Sequence, residues 1–177
     1  MAIQEIHASD IAAYREFLLR GLMEDGANFR LSPDDEKHAP FPTLGTPDSF
    51  TLGAYEDQQL AGIVSFQREG RDREKLRHKG LLFRMYVHPQ FRGKGIARAL
   101  IVALLQRVEM LGDVEQINLT VVANNPVAKK LYEQFGFVSF AVERNALKWE
   151  GHYYTEEQMV LFLNNAPAAG RMNQRDK

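Results

Sequence analysis

Tyr86-Val87-His88-Pro89-Gln90-Phe91-Arg92-Gly93-Lys94-Gly95-Ile96-Ala97 is a strand end that runs into a glycine-rich turn, with a long apolar helix opening behind it. The two glycines let the backbone fold tightly and approach a ligand closely. The first amides of the helix have no intrahelical partners and point outward at the positive end of the dipole, so the turn is built to hold phosphate. Arg92 and Lys94 add full positive charge there. Further on, Asn125-Pro126-Val127-Ala128-Lys129-Lys130-Leu131-Tyr132-Glu133-Gln134-Phe135-Gly136-Phe137 reads as a second helix, capped by Asn125, entered through proline and stopped at Gly136. It carries Tyr132 on a defined face.

Outward from these two segments, hydrophobic periodicity predicts the remaining elements. Leu81 to Val87, Leu60 to Phe66 and Phe50 to Glu56 alternate as strands of an antiparallel meander. From Gly93 the period becomes helical, with Ile96, Ala99, Leu100, Ala103, Leu104, Val108 and Leu111 on one stripe ending at Gly112. Ile117 to Val122 follows as a strand, and the helical crossover allows it to lie parallel to the strand ending at Val87. Phe137 to Leu147 and Tyr153 to Leu163 form a closing hairpin. At the other end, Ile3 to Ile6 is an edge strand, followed by a helix capped at Ser9 or Asp10. The glycines and prolines of residues 21–48 predict short helical pieces and loops there. A single domain over residues 1–163 is expected, with a polar, frayed tail over 164–177.

Composition narrows the function. The 22 Lys and Arg against 23 Asp and Glu leave a net charge of −1, which supplies no general field for nucleic acid or an anionic membrane. Phosphate affinity must then be local. The basic run Arg71 to Lys79 is interrupted by Asp72 and Glu74 and lacks an aromatic platform, so no nucleic-acid partner is expected. The absence of cysteine removes disulfides, thiolate metal sites and thiol nucleophiles and fits a reducing cytoplasm. The five histidines have no metal-ligand spacing. The start of the chain lacks the pattern of a secretory signal, and the apolar run Ala99 to Leu105 is too short to span a membrane. The expectation is a soluble cytoplasmic protein without metal or membrane partner.

Two nucleotide readings of the glycine turn fail. A dinucleotide fingerprint needs a third glycine where Arg98 stands, and an acidic residue at the end of the next strand, where Thr120 to Asn124 carry none. A triphosphatase loop needs Ser or Thr after the lysine, and Lys94 is followed by Gly95.

Arg92-Gly93-Lys94-Gly95-Ile96-Ala97, the preceding Met85-Tyr86-Val87-His88-Pro89 and the Asn125 to Phe137 segment resemble the GNAT superfamily of acetyl-coenzyme A dependent N-acetyltransferases. The likeness is strong from about Leu81 to Phe137 and weaker through Leu163. It implies an α/β fold with a mixed, mostly antiparallel central sheet, helices on both faces and a splayed parallel strand pair holding the cofactor. Parting after Val87 would let the backbone at Met85, Tyr86 and Val87 pair with the pantetheine arm, with the pyrophosphate on Arg92, Gly93, Lys94, Gly95, Ile96 and Ala97. Asn125 and Ala128 would adjoin the cofactor, Asn125 serving as helix cap alone or as cap and ligand. The matching tyrosine of the family lies near the coenzyme sulfur, so Tyr132 is the candidate proton donor, against its reading as a half-buried aromatic.

The acceptor implied is a primary amine of a small molecule or a protein. Such an amine titrates near about 10.4, so a base or water chain must remove a proton at neutral pH. Glu143 is the leading base candidate, with Glu24 and His78 beside it, although each also fits an ordinary solvated role. Glu24, Asp25, Asp34, Asp35 and Glu36 form an acidic stretch that either attracts a cationic amine or is simply a soluble loop. The alternative function is a non-catalytic acyl-coenzyme A sensor or interaction module. A homodimer is compatible with either reading.

Overall fold

Seven strands assemble into one sheet: β1 (Ala2–Ile6), β2 (Ser49–Glu56), β3 (Gln59–Arg68), β4 (Lys79–Val87), β5 (Gln116–Val122), β6 (Val138–Trp149) and β7 (His152–Phe162). The structure, a computed structural model, describes residues 1–163, and the expected polar tail lies outside the described residues. Strand order is β1-β2-β3-β4-β5-β7-β6, and every neighbouring pair is antiparallel except β4 and β5. The mixed, mostly antiparallel sheet of the sequence reading is therefore present. Among the described residues no helix is long and apolar enough to cross a membrane.

Helices cover both faces. α3 (Ile96–Glu109) seals one face with Ile96, Leu100, Ile101, Leu104 and Val108, and α4 (Pro126–Gln134) adds Tyr132 to the same core. Ile101 belongs to the buried stripe although the predicted pattern omitted it. α1 (Ile11–Asp25) covers the other face with Tyr14, Phe17, Leu18 and Leu22, which pack with Ile63 and Tyr86. α2 (Pro33–His38) is a short helix started by a Ser32–Asp35 capping box.

Two features correct the sequence reading. Regular structure does not lapse at Gly21, because α1 continues through it to Asp25. Gly21 lies under the Tyr86 ring, and a Cβ there would fall 2.5 Å from Tyr86 Cε1. The glycine marks a close crossing of helix over strand, not a break.

The parallel pair also parts earlier than expected. Its register holds only at Lys79–Gln116, Gly80–Ile117 and Leu81–Asn118. β4 then continues to Val87 with its β5-facing edge free of that strand, so the gap opens after Leu81 and not after Val87. The physical reason is an extra residue in β4. Ile63 and Ser65 of β3 face Tyr86 and Phe83, so two steps on β3 match three on β4. Arg84 takes a left-handed φ of 51° inside this bulge.

Candidate active site

The glycine turn delivers an open cradle. Gly93 and Gly95 have φ of 77° and 78°, values that favour glycine, and a Cβ at either would meet nothing within 4 Å. Gly95 caps α3 without a side-chain bond, so the helix begins at Ile96 with its leading amides uncovered. This arrangement fits a diphosphate, which supplies acceptors for those amides. Lys94 stands 5.3 Å from the Phe91 ring, near the turn. Ile96 is buried and anchors the first helical turn, while Ala97 is half-buried.

The Arg92 side chain is engaged within the protein. Its Nε donates to Val87 O at 3.0 Å, its Nη2 binds Asp25, and the guanidinium lies 5.8 Å from the Tyr86 ring centroid. It ties the turn to β4 and to the end of α1.

The bulge at Arg84 decides which way the upper half of β4 points. Leu82 and Tyr86 would share a face of a regular strand, yet Leu82 belongs to the α3 core and Tyr86 to the α1 core. Met85 and Val87 pack toward the α3 side. The Tyr86 ring is held between Phe17 and Phe29, at 5.6 and 5.3 Å, and burial pushes its hydroxyl up to about 12. The Tyr86 hydroxyl is buried without a hydrogen-bond partner. Arg84 reaches to the α1 side, where Nη1 donates to Tyr14 Oη at 2.8 Å and stands 3.1 Å from Glu36 Oε2. Glu36 is 1% exposed, so the acidic stretch is not simply a soluble loop.

At the start of α4, Asn125 Oδ1 accepts from Ala128 N at 3.1 Å while Nδ2 donates to Asn28 Oδ1 at 3.1 Å. The side chain is a helix cap that also fastens the chain after α1. Tyr132 is buried, packs edge-on to Phe137 at 5.8 Å, and burial raises its pKa well above the ordinary phenol range. It therefore stays protonated at neutral pH.

Three consecutive residues after α1 form a strap over the mouth between β4 and β5. Asn28 binds Asn125, Phe29 packs on Tyr86, and Arg30 Nε stands 3.2 Å from Glu156 Oε1. Glu156 lies on β7 opposite Val122 at the end of β5 and opposite Glu143 of β6. Glu143 is exposed, whereas Glu156 is 1% exposed. Burial raises the Glu156 carboxyl above the usual range, opposed by Arg30 and reinforced by Glu143. Of the other base candidates, Glu24 Oε2 lies 3.8 Å from His88 Nε2. His78 sits at the far end of the sheet, where its carbonyl accepts from Glu115 and Gln116, so the structure removes it from the mouth.

Arg84, Asn28, Arg30 and Glu156 were missed in the sequence, and Glu36 was read only as one member of the acidic stretch. An arginine in a left-handed bulge carries no local signal, and a buried glutamate in a strand is written like an exposed one.

The profile of the Acetyltransferase (GNAT) family matches residues 13–137. A spermine/spermidine N(1)-acetyltransferase of Bacillus subtilis is 28% identical over 87 residues, covering 49% of this chain and 57% of that relative. A ribosomal protein bS18-alanine N-acetyltransferase of Haemophilus ducreyi is 31% identical over 72 residues, covering 41% and 49%. The matches thus span about half the length of these curated relatives. A Salmonella typhimurium acetyltransferase solved with its cofactor acetyl-CoA superimposes with a TM-score of 0.75 at 21% identity, covering 96% of this chain and 98% of that one. With the glycine cradle, the parted strands and a profile match over most of its length, the chain belongs to the GNAT acetyltransferase family.

Proposed function

We propose that this protein transfers the acetyl group of acetyl-coenzyme A directly to a primary amine. The observation that carries the reading is the parting of β4 from β5 after Leu81, beside an α3 N-terminus whose two glycines leave open space. The free backbone edge near Met85 and Val87 suits the amide-rich arm of the cofactor, and the amides of residues 92–97 suit its diphosphate. Acetyl-coenzyme A supplies an activated thioester when bound.

The chain's residues then divide the work. A backbone amide near Met85 or Tyr86 stabilises the negative charge that develops on the carbonyl oxygen. Tyr132, held protonated by burial, gives its hydroxyl proton to the departing sulfur as the C–N bond forms and the C–S bond breaks. Glu143, an exposed carboxylate on β6, takes a proton lost by the amine, directly or through water. The curated relatives act on a polyamine and on a protein alanine, which supports an amine of a small molecule or of a protein as the acceptor here.

Coenzyme A titration of the wild type and Gly95→Asp tests the cradle. The substitution sets a carboxylate against the diphosphate and should weaken binding by roughly 2 to 4 kcal/mol while circular dichroism is unchanged. Unaltered affinity would remove the phosphate assignment. Release of free thiol with a panel of amines separates a transferase from a non-catalytic coenzyme A sensor, which binds but turns nothing over.

A further inference from the structure

We propose that Glu156 is the carboxylate that receives the acceptor's ammonium group, and that the acceptor is an alkylamine bearing a second positive charge. This rests on the acetyltransferase reading above. Glu156 Oε2 is buried without a hydrogen-bond partner, although the residue stands at the end of β5, beside the mouth where the strands have parted. A buried carboxylate oxygen without a donor is costly to keep. Its one cationic neighbour among the described residues is Arg30, whose side chain is 63% exposed and whose contact is to the other oxygen. The Arg30 guanidinium marks where a cation sits against this carboxylate, and its exposure leaves it free to swing out in exchange.

The approach to Glu156 has matching chemistry. Tyr154 lies two residues away on the same face of β7 and lines a groove of about 390 Å³ with Leu22, Glu24, Trp149 and Glu150. Trp149 and Tyr154 offer rings to an aliphatic chain and its cations, and Glu24 and Glu150 offer negative charge to a second ammonium. Glu143, exposed and directly across from Glu156, is the outlet to solvent.

The proton balance follows from these positions. The bound ammonium gives one proton to Glu156, which passes it to Glu143 and water, and the neutral amine attacks the thioester carbonyl. The nitrogen sheds its second proton as the amide forms. That proton replaces, through solvent, the one that Tyr132 gives the sulfur.

The experiment compares wild type, Glu156→Gln, Glu156→Asp and Arg30→Ala, with 1,4-diaminobutane and 1-aminobutane as probes. Expected near neutral pH is a loss of roughly a hundredfold in kcat/KM for 1,4-diaminobutane in Glu156→Gln, recovering as pH rises toward the amine's own titration. Glu156→Asp keeps part of the activity, Arg30→Ala lowers KM, and 1-aminobutane is the poorer substrate of the wild type. Coenzyme A affinity is the same in all four proteins, which keeps the two readings apart: loss of coenzyme A binding by the wild type defeats the transferase reading itself. Independently of turnover, millimolar 1,4-diaminobutane raises the melting temperature of the coenzyme A complex of the wild type and not that of Glu156→Gln. A wild-type complex that does not respond, or a Glu156→Gln variant with unchanged kcat/KM at every pH, overturns the proposal.

Discussion

Arg84 Nη1 stands 3.1 Å from Glu36 Oε2 and so ties the bulge of β4 to the short helix α2. The contact is a charge pairing more than a hydrogen bond, since Glu36 Oε2 takes no aligned donor. The same Nη1 donates to Tyr14, whose hydroxyl is pushed up to about 12, chiefly by burial. A residue held at a left-handed φ needs surroundings that over-determine it, and this cluster supplies them.

Glu36→Gln keeps the shape and removes the charge. Arg84, with a side chain only 13% exposed, loses its counter-ion, but the cost of burying the Glu36 carboxylate is relieved, so unfolding in denaturant at neutral pH should show little net change. If the pair holds the bulge, acetyl transfer falls further than stability alone explains, because the amides of Met85 and Tyr86 lose their aim. A variant with unchanged acetyl transfer would mean that Arg84 is held by Tyr14 without help from Glu36.

Gly21→Ala sets two effects against each other. Alanine is the better helix former by about 1 kcal/mol, but its Cβ would fall 2.5 Å from a ring carbon of Tyr86, an overpacking that typically costs about 1 to 3 kcal/mol. The net expectation is destabilisation. Tyr86→Leu in the same chain should relieve it, and a double-mutant cycle measures the coupling. Additive effects would remove the crossing of α1 and β4 as the reason for this glycine.

Tyr132→Phe should lower turnover by about ten- to a thousandfold with little change in coenzyme A affinity. The ring contact with Phe137 survives and only the hydroxyl is lost. A thiol titrating near about 8.5 is already a fair leaving group, so some activity remains. Full activity would return Tyr132 to the role of a core aromatic, and lost binding would make it structural.

Glu36 and Glu156 both have raised carboxyl pKa values, chiefly through burial. A folded-state value above the unfolded one means that the native chain holds the proton more tightly. Their contribution to stability is therefore fully present below the ordinary carboxylate range and is lost as pH rises through the raised values. Glu156→Gln should match the wild type in denaturant midpoint at acid pH and exceed it at neutral pH. A variant less stable throughout would show that the Arg30 pair outweighs the burial of charge.

The sequence disclosed what depends on local pattern. Alternation and helical period located every strand and the three longer helices, and glycine at positive φ located the cradle because only backbone freedom explains Gly93 and Gly95. The parting point of β4 and β5 was misjudged because it depends on Arg84, whose conformation is imposed from outside the strand by Tyr14 and Glu36. The carboxylates divided for a similar reason. Glu143 and Glu156 look alike in the chain, and only the hairpin register with the strap over it buries one and exposes the other.

The short joint between β4 and β5, three residue pairs long, makes the sheet two leaves bound along one margin. One leaf carries Tyr86 and the glycine turn, and the other carries Tyr132's helix and Glu156. Whatever lies in the opening sets the spacing of the leaves, so under the proposed activity the donor completes the acceptor's seat before the acceptor can use it. Amide hydrogen exchange along Leu82–Val87 would then slow on adding coenzyme A alone. Steady-state kinetics would follow a compulsory order with the donor first.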